Sequence, residues 1–284
     1  MTDEWISHGP DEPVQQGDLL LSRDPMTGYI GDICIVITAD CDITNKKFGK
    51  QLACLRVTSL RDYLRTDWAG RKLRRSIDSE TEKIRMQLNK WNSERDSKAG
   101  PFSPEAITNW VKRCEPDQIC QDLMIPETAV DKVRTNLARF RSAFVGVVSD
   151  GSPDNLASLV LFRSKASERS HEDCLTEILR QAQTDMLPDD VFLLPTLPQL
   201  QDYGPAVVRL RELIGIPFGS VCLRTCDAIS NEYFLRIGRP NPIIKYAVSQ
   251  AFGILYTRIG LPETYESQRK AAIEQINSFE WEWE

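Results

Sequence analysis

Three short apolar runs near the start of the chain constrain its fold more than any other feature. Leu19-Leu20-Leu21 follows Val14-Gln15-Gln16-Gly17-Asp18, the run from Ile33 to Thr38 follows Gly31-Asp32, and a third run spans Leu52 to Leu60. Each is rich in leucine or β-branched residues, too short for a helix, and bounded by Gly, Asp, Pro or Lys-rich breaks, so three consecutive strands are expected between residues 14 and 60. The middle run is apolar at nearly every position, the pattern of a strand covered on both faces.

Beyond residue 60 the hydrophobic period changes. Leu73, Ile77, Ile84, Leu88 and Trp91 recur at helical offsets and predict a helix over 72–94. Ser103-Pro104-Glu105 combines a capping serine, a proline suited to the first helical position and an acid in the first turn, and so opens a short helix to Arg113. A further helix is expected over 127–144, which makes 61–143 a helical insertion. Residues 144–148 and 156–162 return to strand-like composition around Asp150-Gly151-Ser152-Pro153, a turn sequence, and predict a hairpin. Ser170 starts another helix, 191–194 and 207–214 read as strands, and 221–225 pairs with 233–237 around Ser230-Asn231. Helices follow from Pro240 and over 263–279. The expected class is α+β: a lead-in over 1–13, an antiparallel β-barrel core shared by 14–60 and 144–237, the insertion 61–143, and C-terminal helices in 238–284.

Several function classes are disfavoured by composition. Forty-one acidic against 35 basic residues give a formal charge of −6, which argues against a nucleic-acid grip by the whole molecule. A local basic face over 71–85 (Arg71, Lys72, Arg74, Arg75, Lys83, Arg85) is interrupted by Glu80 and Glu82. It reads either as a phosphate-contacting helix or as a solvated face with ion pairs along the helix. No apolar run reaches the roughly 20 residues that span a bilayer, and no leader pattern opens the chain, so a cytoplasmic protein without a membrane partner is expected. Only His8 and His171 are available for histidine chemistry. The eight cysteines form no Cys-x-x-Cys pair, so reduced, mostly buried thiols are expected, with no cofactor and no metal site. Cys222 and Cys226, four apart in a strand-like segment, read as two small buried thiols rather than metal ligands.

Two constellations carry candidate chemistry. Asp40, Cys41 and Asp42 are expected at a strand end, where residues 40 and 42 point to one side. Their carboxylates could converge on a divalent ion, or accept turn amides while Cys41 packs inward. Cys41 as a nucleophile has no base nearby in sequence. Arg236, Arg239 and Lys245 flank the last strand and the following helix, and form either an anion-binding group or surface pairs with acids.

The succession Gly17-Asp18-Leu19-Leu20, then Ile35-Val36-Ile37-Thr38, then Leu55-Arg56-Val57-Thr58-Ser59 resembles the opening of the MazF/PemK-like small, SH3-like barrels, over about 45 residues. Most known members of that family cleave RNA. The chain is also similar to uncharacterised bacterial proteins with a Gln-Gly-Asp strand, a Thr-Ala-Asp-Cys-Asp strand end and a closing Arg-Ile-Gly-Leu-Pro helix, here Arg258 to Pro262. Thr58-Ser59 matches the toxins' Thr or Ser after the third strand, but Gly31-Asp32 stands where they carry an arginine. The resemblance therefore implies a scaffold whose activity is lost or replaced: a prokaryotic binding or adaptor protein with a protein partner, in a toxin–antitoxin or phage-defence setting. The alternative is a nuclease, with or without metal, acting through Asp40, Asp42 and Thr58.

Overall fold

A two-residue strand, β1 (Trp5–Ile6), precedes the three apolar runs, which form β2 (Leu19–Arg23), β3 (Ile30–Val36) and β4 (Gln51–Ser59). They belong to a computed structural model describing residues 4–9, 11–23, 30–150, 154–185, 188–200, 203–224 and 233–257. β2 and β3 pair antiparallel with Leu20 opposite Cys34, and β3 pairs β4 with Ile33 opposite Val57. Leu19, Leu20, Leu21, Cys34, Ile35, Leu52, Cys54 and Leu55 are fully buried, so these strands are covered on both faces, as an unbroken apolar run requires. Burying each leucine or isoleucine contributes roughly 1.5–3 kcal/mol.

β5 (Val191–Leu194), β6 (Ala206–Pro217), β7 (Val221–Cys222) and β8 (Tyr233–Pro240) complete an eight-stranded sheet among the described residues. Its order is β1-β8-β2-β3-β4-β6-β5, with β7 on β8. The class is α+β, and the sheet is a curled antiparallel half-barrel. The lead-in is therefore not outside the sheet: β1 pairs with β8, Trp5 opposite Pro240. Nor do residues 221–225 and 233–237 make a hairpin. β7 runs parallel to β8, Val221 opposite Phe234, whereas a tight hairpin joins antiparallel strands only. Cys226 and the Ser230-Asn231 turn lie outside the described residues, as do Arg258 to Pro262 and the helix expected over 263–279.

The helical elements are α1 (Asp40–Thr44), α2 (Leu60–Tyr63), a π-helical turn (Leu64–Trp68), α3 (Ala69–Arg95), α4 (Pro104–Arg113), α5 (Pro116–Asp122), α6 (Glu127–Asp150), α7 (Asn155–Ser167), α8 (His171–Thr184) and α9 (Pro242–Thr257). The capping signals act as expected: Ser103 Oγ accepts from the Ala106 amide at 3.2 Å and Ser170 Oγ from the Asp173 amide at 3.1 Å. Leu88, Ile107, Val111, Ile119 and Leu137 are fully buried in one core formed by α3 to α6.

The expected hairpin of 144–148 with 156–162 is corrected. Residues 144–148 continue α6, and 156–162 lie in α7. The run Leu156 to Phe162 conceals a helical stripe in which Ser158, Leu159 and Phe162 are buried while Leu156, Val160 and Leu161 are only half-buried and Ala157 is exposed, a spacing that composition alone does not reveal. Helical structure thus reaches Thr184, and the chain divides into a sheet unit (Met1–Val57, Pro188–Gln201, Val208–Glu284) and a helical unit (Thr58–Leu187, Asp202–Val207). Within the helical unit, Asn155 Nδ2 donates to the Thr66 carbonyl at 2.6 Å, and a Cβ at Gly70 would stand 2.8 Å from that same nitrogen. Gly70 lets α3 and α7 approach there.

Candidate functional site

In the sheet unit the chemistry-bearing residues gather where β2 begins. Gly17 adopts φ +88°, a conformation open to glycine and strained for other residues, and a Cβ there would lie 3.1–3.3 Å from Lys245 and Pro240. Its amide donates to the Val36 carbonyl at 2.7 Å, and the Val36 amide donates to the Asp18 carbonyl at 3.0 Å. This turn carries the Asp18 side chain inward, where it has no solvent exposure.

Asp18 is the centre of a buried ionic group. Arg239 grips it with two donors, Nε to Oδ1 at 2.7 Å and Nη2 to Oδ2 at 3.0 Å, and the Gln15 amide donates to Oδ2 at 2.9 Å. Arg239 also donates to Glu12 Oε2 at 2.6 Å and to the Pro13 carbonyl at 2.9 Å. Arg236 lies across the group, with Nη1 3.7 Å from Asp18 Oδ2. It donates to the Glu12 carbonyl at 2.7 Å and the Gly9 carbonyl at 2.9 Å. Its Nε is buried without a partner. Charge-assisted bonding to Asp18 holds the Arg239 guanidinium above its ordinary range, whereas burial pulls Arg236 below it. The Gly9 amide, helped by Arg239, keeps the Glu12 carboxyl below the usual carboxylate range.

This geometry corrects the anion-binding reading of Arg236, Arg239 and Lys245. Two guanidiniums face two carboxylates, both arginines are buried, and their donors are spent on Asp18, Glu12 and backbone carbonyls. Lys245, from the first turn of α9, forms an ion pair with Asp40. Asp18 and Glu12, the counter-charges, escape a reading by strand pattern. The available signal is a carboxylate wedged directly before three leucines, where only a partnered charge can be buried.

Asp40 and Asp42 are also corrected. β3 ends at Val36. Thr38 Oγ1 accepts from the Ala53 amide at 2.7 Å, and α1 then begins at Asp40. In a helix, residues two apart diverge by about 200° rather than sharing a side. Asp40 Oδ1 accepts from the Gln16 amide at 2.7 Å and Oδ2 from Lys245, while Gln16 Nε2 donates to Ser249 Oγ at 3.0 Å. Asp40 is thus a clasp tying the approach to β2 and the start of α9 to the end of β3. Cys41 is exposed rather than packed inward, with its Sγ 3.8 Å from Asp42 Oδ1. Thr58 does not join them. Cys54 pairs with Val36 and Val57 with Ile33, so β4 carries Thr58 away from Asp40 by roughly 13 Å along the ladder beyond Cys54. The Thr58 hydroxyl is buried without a hydrogen bond. Among the described residues no group of three His, Cys, Asp or Glu is placed to hold a metal.

Of the other cysteines, Cys34, Cys54, Cys120, Cys174 and Cys222 are buried. Hydrogen bonding with Cys54, together with burial, pushes the Cys34 thiol well above its ordinary range, away from reactivity. The basic face over 71–85 is largely paired: Arg71 bonds the Tyr63 hydroxyl, Lys72 meets Asp185 at 2.7 Å, and Lys83 and Arg85 pair with Glu80 and Glu82 on the same helix. No family model matches the chain, and no curated protein or solved structure matches it either.

Proposed function

We propose that the chain is a cytoplasmic binding or adaptor protein on a MazF/PemK-like half-barrel, working in a toxin–antitoxin or phage-defence setting, and that α9 is its docking element for a protein partner. The setting rests on the sequence resemblance. The docking element rests on one observation: Ile243, Tyr246, Gln250, Ile254 and Thr257 are all exposed and recur at three- and four-residue offsets, so one stripe of α9 shows large apolar groups and no charge to solvent. Ile243 is 72% exposed, Tyr246 61% and Ile254 46%. The one charged residue of α9, Lys245, is committed to Asp40. Single exposed apolar residues are ordinary, but a charge-free stripe at helical spacing is the surface that an apolar groove of another protein recognises. The nuclease alternative has less support, because Asp40 is already bonded to Gln16 and Lys245 and Thr58 sits far along β4.

A photo-crosslinking amino acid at position 246, with one at exposed position 90 as control, tests this in cells of the natural host. The expected result is one dominant protein captured from position 246 only. The purified pair should bind, and Tyr246→Ser with Ile254→Ser should weaken binding at least tenfold while leaving the melting temperature unchanged. Crosslinking only to residues 258–284 of the same chain, or only to a second copy, would overturn the reading. So would metal-dependent cleavage of RNA or DNA that Asp42→Asn abolishes.

A further inference from the structure

The helical unit holds a cavity of about 540 Å³ between α3, α7 and α8. Four cations line it, Lys72, Arg75, Arg163 and Arg169, against two acids, Glu80 and Glu177. The acids are already neutralised from outside the cavity wall: Lys83 meets Glu80 at 2.6 Å, and Arg180 reaches Glu177 with Nη2 at 2.9 Å and Nε at 3.2 Å. Lys72 is held by Asp185. That leaves three guanidiniums without a bonded carboxylate. The side chains of Arg75 and Arg169 make no hydrogen bond or ion pair among the described residues, although Arg75 lies within electrostatic reach of Asp185 and Arg169 of Glu177, and the Arg163 guanidinium has one bond, Nη1 to Gln181 Oε1 at 2.9 Å.

The Gln181 amide is fixed at both ends, because its Nε2 donates to Glu177 Oε1 at 3.0 Å while its oxygen accepts from Arg163. Arg163 is therefore aimed by Gln181, in the manner of a preorganised donor. Its guanidinium is pulled below the ordinary range by desolvation, which the nearby Glu177 charge offsets only in part. A half-buried cation whose one bonded partner is a neutral amide gains from a further negative charge placed against it. Ser76 and Ser79 add two hydroxyls to the same wall, and Phe162, Ala166 and Cys174 supply apolar surface.

We propose that this cavity binds a small phosphorylated molecule of nucleotide size, with its phosphate on Arg75, Arg163 and Arg169. Guanidinium forks match phosphate oxygens with paired donors, which is why arginine dominates such sites. A lone phosphate is too small for the space, since cavities of about 300–1,000 Å³ suit whole organic ligands. The mixed wall takes the organic part against Phe162 and Ala166. This reading is independent of the α9 docking reading, since no α9 residue lines the cavity.

Calorimetric titration of the full chain with nucleoside mono- and diphosphates, inorganic phosphate, and a short single-stranded RNA tests it. The expected result is saturable one-to-one binding of at least one nucleotide, at least tenfold tighter than inorganic phosphate. Arg163→Gln and Arg75→Gln should each weaken it at least tenfold, and Lys90→Gln, exposed at the far end of α3, should leave it unchanged. Arg75 is exposed and unbonded, so its variant folds even if Arg163→Gln does not. Absence of nucleotide binding, equal affinity in wild type and Arg75→Gln, or RNA binding tighter than any mononucleotide would overturn the proposal.

Discussion

The two units treat arginine in opposite ways. In the sheet unit Arg236 and Arg239 meet Asp18, Glu12 and three backbone carbonyls, so nearly every donor is spent inside the fold. In the helical unit the Arg163 guanidinium has one bonded partner, a neutral amide, and the Arg75 and Arg169 guanidiniums have no bonded partner among the described residues. The first arrangement uses charge to fasten a strand entry. The second leaves charge facing an open volume. An arginine says little until its partners are known: the pair that looks like an anion site by position is structural, and the guanidiniums left without a bonded carboxylate lie on α3, on α7 and just after α7.

The largest test of this contrast is Asp18→Asn. It leaves Arg239 and Arg236 buried with one opposing charge missing and turns an amide donor toward the guanidinium, so the fold should lose about 3–5 kcal/mol. Urea unfolding followed by circular dichroism reads this directly, and a loss under about 1 kcal/mol would break the claim that these arginines are structural. Asp40→Asn should cost less, about 1 kcal/mol, because the Gln16 amide keeps an acceptor and the Lys245 pair is partly solvated. The same melts with and without millimolar Mg²⁺ or Mn²⁺ should coincide for both proteins. A metal-dependent rise confined to the wild type would return Asp40 to the status of a ligand. The smallest effect is expected for Arg163→Met, whose stability should stay within about 0.5 kcal/mol of wild type or rise, since it removes a desolvated cation bonded to Gln181 alone. A large loss there would make the two units alike.

The parts of the fold that were legible are those where composition and period agree. Leu19–Leu21, Ile33–Val36 and the run from Leu52 are short, apolar and punctuated, and each is a covered strand. Leu73 to Trp91 carries its period openly. Residues 144–148 and 156–162 read as strands because Val145, Val147, Val148 and, Ser158 apart, Leu156 to Phe162 are apolar in succession, which hides the stripe at Ser158, Leu159 and Phe162 that packs. At Asp40 the error lay in assuming that an apolar run ends where its strand ends. Thr38 takes over the Ala53 amide with its side chain, and the backbone then turns helical. The Asp18 centre was illegible for a different reason: it joins residues more than 200 positions apart, and no local pattern records that Arg239 lies over Asp18.

The place of β8 between β1 and β2 has a consequence for the time course of synthesis. Leu19 pairs with Gly238, so β2 emerges from the ribosome long before the strand that covers its other edge. At synthesis rates of about 5–20 residues per second the gap is roughly 10–45 seconds. The helical unit, nearly continuous from Thr58 to Leu187, is complete well within that interval. The nascent chain is therefore expected to form its helices first and hold β2, β3 and β4 as an unfinished ladder, its β4 edge open until β6 is made and its β2 edge until β8 is made. During that wait the edge of Leu19 to Leu21 is the surface most in need of a chaperone, and the arrival of β8 decides whether the molecule closes on itself or on a neighbour.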